Sequence, residues 1–494
     1  MCSMKTVVSV FVLVLCLHHA DVLAMSSILQ VSPPGENLLS STAKDDAEKI
    51  IEAAFDTTIV YDRLAYMTDT FGPRFSGTPE LERAIDWIQA AAEQEDGITV
   101  KSEPVMVPRW VRGNEYANLL VPRRKSMRIL ALGGSVGTNG TTLHGSVIVV
   151  SSFDDLENQK DHIRGKIVVY NQDFVSYGDT VAYRVSGAER AEAHGAIAAL
   201  IRSVTPYGIQ TPHTGSTHTS SIPAVSITIE DAKMFARMQA RGQSMEIELY
   251  LEAHTLPDVQ SRNLILEVVG SKHPDEFVVL GGHTDSWDIA DGAMDDGGGA
   301  FVAWEAVRLI KTLGLRPDRT IRAVLWTNEE NGARGGQAYA NDHISELDKH
   351  SIALESDLGT FTPHGLSFAG SDDARAIVTA IGEKLLSGIG SGNVTGVGVG
   401  EDASYLNERG VPSGSLYTVD VRQGGDSNNP CLPFSQPPYP EFQEENFGSS
   451  AYFWYHHTAA DTIDKLSPQQ LQHCAATLGV FVYSIANLPS LLPR

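Results

Sequence analysis

Four short runs, "RNLILEVVG" (262–270), "EFVVLGG" (276–282), "TIRAVLWTNEE" (320–330) and "SIALESD" (351–357), are almost continuously apolar. A strand with one wet face alternates apolar and polar residues; consecutive apolar positions are needed only where both faces are covered. These runs therefore predict a parallel or mixed sheet between two helical layers. Between the second and third lies "AFVAWEAVRLIKTLG" (300–314), with Ala303, Val307, Ile310 and Leu313 on one helical face. Strand, helix, strand in that order makes the class α/β.

Acidic residues and histidines stand just past the ends of these runs, where open α/β sheets place ligand sites. "EFVVLGG" leads to His283 and Asp285, "AVLWTN" to Glu329 and Glu330, and "SIALES" to Asp357. The stretch "GGHTDSWDIADGAMDDGGGAF" (281–301) alone holds one His and five Asp. If the strands are neighbours, the carboxylates converge, and without a cation several would have to become neutral. Imidazole with carboxylate and no thiolate suits zinc, with manganese or cobalt as substitutes. Asp295 has the chemistry to bridge two ions, and the glycines after it permit close backbone approach. Each fragment by itself is a common turn or solvated pair; the combination carries the signal.

The rest of the chain divides by texture. Residues 1–24 have Lys5, an apolar run from Val7 to Leu17 and the small-residue site Val22-Leu23-Ala24, the layout of a secretory signal peptide. Residues 25–44 are turn-rich and read as a linker or removable propeptide. Helical spacing follows over 45–94, interrupted by "FGPRFSGTP". From 117 to 255 short β-type runs dominate, with the stretch "GAERAEAHGAIAALI" as the one helix, so that 45–116 and 256–494 would form one domain interrupted by an insert. A last helix has Ser467 as N-cap, Pro468 at its first position and Gln470 completing a capping box.

The net charge of −24 opposes nucleic acid and anionic membrane surfaces as partners. After the signal no stretch reaches the ~18 apolar residues of a membrane span. In an oxidising compartment Cys431 and Cys474 are candidates for a disulfide, and Asn139 and Asn393 head glycosylation sequons. "TGVGVGED" (395–402) lacks the lysine of a phosphate loop. Of the adjacent His456 and His457, spacing alone prefers neither.

In order along the chain, "GGHTDSWD", "GAMDDGGGAF", "LWTNEENG", "LESDLGTF", "ERGVPSGSL" and "YHHTAADT" resemble the motifs of the co-catalytic di-zinc aminopeptidases and glutamate carboxypeptidases. The likeness extends from "YDRLAYMTDTFGPRFSG" almost to "LLPR". It implies a three-layer, phosphorylase/hydrolase-like zinc exopeptidase domain with an inserted, strand-rich protease-associated-like domain that partly covers the cleft. By position it implies His283 and Asp357 on one zinc, Glu330 and His457 on a second, and Asp295 bridging them. Glu329 would be the general base and Asp285 the carboxylate that orients His283. Relatives commonly have a cis peptide after the bridging aspartate, here Asp295-Asp296, and the position of Asp402 matches a substrate-pocket loop.

The resemblance further implies a dipeptide or short-peptide substrate with free termini, a homodimer, and a secreted or lysosomal destination. An aminopeptidase with the same metals is the competing reading, and a metal-free receptor of the same fold is the non-enzymatic one. The segment Val421–Ser450 is longer than expected for such a chain and falls, by its place in the sequence, near the cleft rim.

Overall fold

The computed structural model describes residues 39–396, 398–419 and 452–494, all within the compact unit from Pro34 to Arg494. Its main sheet has eight strands in the order Thr99–Val111, His254–Val268, Arg319–Trp326, His273–His283, His350–Glu355, Ser413–Val419, Thr362–Ala369, Asn393–Thr395. The four central strands, from Arg319–Trp326 to Ser413–Val419, run parallel, and antiparallel neighbours flank them on both sides. The sheet is mixed, as the sequence predicts.

Consecutive residues of the central strands, and of the neighbouring His254–Val268, enter different cores. Leu264, Val278, Leu280, Ala323 and Leu354 pack with Ile50, Leu64, Ile85, Trp304 and Phe481 from helices on one face. Ile265, Val279, Val324 and Ala353 pack with Tyr339, Ala340 and Leu406 on the other. Both faces are dry, which is why these runs are apolar at every position. The product is a helix–sheet–helix sandwich of three layers.

The first two strands of the main sheet form a long antiparallel ribbon, from Thr99 opposite Glu267 to Val111 opposite His254. At its far end residues 115–251 build a second eight-stranded sheet. Phe75, Trp110 and Trp287, all from outside that segment, join one of its two cores beside Leu119, Val149, Leu200 and Phe235. The two sheets thus share apolar packing near the strand ends that carry the acidic residues.

Several local expectations are corrected. The stretch read as a single helix ends at Ala193, because Gly195 takes a left-handed φ of +82°; Ala198–Arg202 is then a fully buried strand. A helix not foreseen from sequence, Ile229–Ala240, starts at Thr228, whose side chain accepts from the Asp231 amide. The final helix, Pro468–Ala486, begins where expected, but no capping box forms: Ser467 Oγ meets Gln469, and Gln470 donates to Thr362 instead. Cys474 carries a free thiol, because its helix turns it into the core with Sγ 3.2 Å from the Phe361 carbonyl oxygen. The other member of the expected disulfide, Cys431, lies outside the described residues, as does the segment Val421–Ser450. Asn139 and Asn393 are both exposed.

Candidate metal centre

Three neighbouring parallel strands end at the site. His283 closes one of them, Glu329 and Glu330 follow Trp326 on the second, and Asp357 follows Glu355 on the third. Asp295 comes from the turn Ala293–Gly297 above them, and its peptide to Asp296 is cis. The turn sits close against the strand ends: a Cβ on Gly299 would lie 1.7 Å from the Ser356 carbonyl oxygen, so no other residue fits there. His456 and His457 arrive after the short helix Tyr452–Tyr455.

Ring and carboxylate atoms then converge. His283 Nε2 is 3.5 Å from both Asp295 Oδ1 and Asp357 Oδ1, and 3.8 Å from Glu329 Oε2. His457 Nε2 is 3.3 Å from Asp295 Oδ2 and 3.0 Å from Glu330 Oε2. His456 Nε2 stands further off, 3.7 Å from Asp295 Oδ2. Among the described residues, His283 Nε2, Asp295 Oδ2 and Asp357 Oδ1 are buried without a hydrogen-bond partner. Such orphaned atoms are costly unless something occupies the space between them.

Zinc fits that space. Zinc bonds of about 2.0–2.2 Å at tetrahedral angles set ligand atoms roughly 3.3–3.6 Å apart, close to the observed separations. Imidazole and carboxylate without thiolate are also its donor set. Two groups have metal-holding geometry, Asp295 with His456 and His457, and His283 with Asp296 and Asp357. Asp296, however, already accepts the amides of His283 at 3.0 Å and Gly299 at 3.2 Å. It anchors the turn to the strand.

The electrostatics follow from burial. Burial first, and neighbouring carboxylates next, push Glu329, Glu330 and Asp296 well above the usual carboxylate range, and Asp357 upward. Burial, with His456 alongside, holds His457 well below its ordinary value. Burial also opposes charge on His283, but Asp285, Asp295 and Asp357 override it and hold that ring well above. Divalent charge at the convergent atoms would relieve the cost borne by the acids.

The orienting role expected of Asp285 takes a different form. His283 Nδ1 is 2.9 Å from the Asp285 carbonyl oxygen and 3.6 Å from its carboxylate. The carboxylate instead accepts the amides of Glu329 at 3.0 Å and Glu330 at 3.3 Å, and the Ser76 hydroxyl at 3.1 Å. Asp288 binds Arg112 through both oxygens, at 2.8 and 2.6 Å. Asp402 is fully buried and accepts the Gly336 amide at 2.7 Å. The crowded aspartates are thus parted by separate partners.

Two contributors escaped the sequence reading. Asp461 accepts the amides of Met294 and Asp295, and its signal was the aspartate of "HTAADT". Arg74 donates to the carbonyls of Gly72, Thr284, Asp291 and Gly292, closing the loop that carries Asp285; nothing in the local sequence marks it.

Residues 263–482 match the model of Peptidase family M28. Carboxypeptidase Q from Xenopus laevis is 43% identical over 92% of this chain and 92% of its own, and that from Homo sapiens 42% identical over 88% and 86%. The chain belongs to peptidase family M28. A solved structure of a peptidase M28 precursor from Shewanella amazonensis superimposes with a TM-score of 0.80 at 32% identity, over 92% of this chain and 98% of that one. A zinc aminopeptidase from Bacillus subtilis shares the fold at a TM-score of 0.61 and 22% identity, over 86% and 93%. The likeness to carboxypeptidase Q thus extends over 88–92% of the chain, well beyond the residues that match the family model. Its substrate as a peptidase is a peptide bond.

Proposed function

We propose that the chain is a zinc-dependent exopeptidase of the carboxypeptidase or dipeptidase type, acting on dipeptides or short peptides with free termini in the secretory pathway, outside the cell or in a lysosome. The observation that carries this reading is the convergence of His283, Asp295, Glu330, Asp357 and His457 donor atoms within 3.0–3.5 Å of one another in successive pairs. His283 and Asp357 would hold one ion, Glu330 and His457 the other, with Asp295 between. His457 is favoured over His456 because its Nε2 also meets Glu330. Zinc bound there would supply Lewis acidity toward a water and the scissile carbonyl oxygen.

The remaining work falls to the chain's own residues. Glu329 takes the proton of the attacking water on its carboxylate and returns it to the leaving amine. Asp285 aims that base by holding the amides of both Glu329 and Glu330. No helix among the described residues is long and apolar enough to cross a membrane. Cleavage of residues 1–24, glycans on Asn139 and Asn393, and a homodimer belong to the same reading.

The deciding experiment is metal analysis of the mature protein with a panel of dipeptides, blocked dipeptides and aminoacyl-amides. About two zincs per chain, free dipeptides cleaved and blocked ones refused is the expected result. Cleavage of aminoacyl-amides but not dipeptides would make the enzyme an aminopeptidase.

A further inference from the structure

A short segment between two strands of the second sheet, residues 213–216, reaches the metal centre. His213 Nδ1 is 2.8 Å from the His456 carbonyl oxygen. The Thr214 amide donates to the His457 carbonyl at 3.0 Å, while the Thr214 carbonyl lies 3.1 Å from His457 Nδ1. Ser216 Oγ donates to the Glu330 carbonyl at 2.8 Å. These contacts fall on both residues assigned to the second ion.

His457 needs such support. Its φ of +60° is left-handed, a conformation that costs a non-glycine residue and persists only where the surroundings hold it. The ring also needs a partner behind it: for Nε2 to bind a cation, Nδ1 must carry the proton and donate it. The Thr214 carbonyl is the acceptor at hand. Arg184 lies on the same side, its Nη1 3.4 Å from both Nδ1 and the Thr214 carbonyl oxygen, and a guanidinium accepts nothing.

Arg184 is itself locked. Its Nη2 donates to the Tyr177 hydroxyl at 2.9 Å, and the Tyr177 ring meets His456 edge-on. Gly215, with φ of +139°, lets the guanidinium through, since a Cβ there would fall 2.3 Å from its carbon. The Gly215 carbonyl is held by the Gly133 amide at 3.0 Å. No carboxylate pairs with Arg184 among the described residues. A buried guanidinium spent on one carbonyl and one hydroxyl is placed for geometry.

We propose that Arg184 and the segment 213–216 are positioning elements for the second ion: they hold His457 with Nδ1 donating to Thr214 and brace the backbone of Glu330, so that the second sheet is part of the metal site and not only its cover. This rests on the di-zinc reading above. Among the described residues, His283 and Asp357 make no hydrogen bond or ion pair with the segment.

The test is a chelator competition that counts bound zinc, repeated with cobalt(II) to follow each site by its visible absorption. In Arg184→Met one equivalent of metal should weaken about 10–100-fold while the other keeps its affinity; Arg184→Lys should recover part of the loss, and Ser216→Ala should weaken the same equivalent less. Both equivalents unchanged in Arg184→Met and in Ser216→Ala would overturn the proposal, as would equal weakening of both. Should Arg184→Met fail to fold, Ser216→Ala decides alone. Wild-type protein that binds no zinc would instead overturn the di-zinc reading.

Discussion

Asp461 Oδ1 accepts the Met294 amide at 2.7 Å, and its Oδ2 accepts the Asp295 amide at 3.0 Å. One buried carboxylate thereby pins the turn that presents Asp295. Asp461→Asn keeps the shape but faces an amide N–H with another donor, at a cost of about 1–3 kcal/mol. It should lower unfolding stability by that amount and reduce zinc affinity about 10-fold or more; unchanged zinc content under chelator challenge would refute the clamp.

The two adjacent histidines should separate cleanly. His457→Ala is expected to lose one zinc of the two and nearly all turnover. His456→Gln should keep both, because His456 is packed by Tyr177, Tyr452 and Phe453 and its Nε2 is 3.7 Å from the nearest carboxylate oxygen of the site. Metal stoichiometry reads the difference directly, and the reverse pattern would exchange their roles.

Glu329→Gln removes the proposed proton acceptor while leaving the ligand set whole. kcat should fall by about 10²–10⁴-fold with zinc content and KM little changed. Turnover near that of the wild type would sink the mechanism.

A pH effect is expected far from the metals. Burial holds His350 down to about 4 from its ordinary 6.5, with Glu346, Tyr339 and Arg322 around it. Between those values the unfolded chain binds a proton that the native one refuses, so this contribution is complete above pH 6.5 and is lost as pH falls toward 4, on the order of 3 kcal/mol at full extent. Urea unfolding from pH 7 to 4.5 should show a shallower loss for His350→Gln than for wild type. Parallel curves would exclude His350 as a source.

Much of the architecture was legible locally. The burial of Val278 and Val279 on opposite faces was written in their adjacency, and the converging ends of three strands were marked by His283, Glu329, Glu330 and Asp357. The strand at Ala198–Arg202 was not, since an alanine-rich run suits helix or buried strand alike and only the turn at Gly195 divides them. The family resemblance set the Asp285 carboxylate behind His283, yet that carboxylate is spent on the amides of Glu329 and Glu330, which no pattern along the chain shows.

By itself the sequence determined the α/β class, the doubly covered strands and the residue types gathered at their ends, because burial selects side chains one position at a time. The tertiary structure decided which donor faces which acceptor. Thr214 and His457 are 243 residues apart, and Asp461 and Met294 are 167 apart. A hydrogen bond depends on distance in space, and no local pattern along the chain records a partner brought near only by folding.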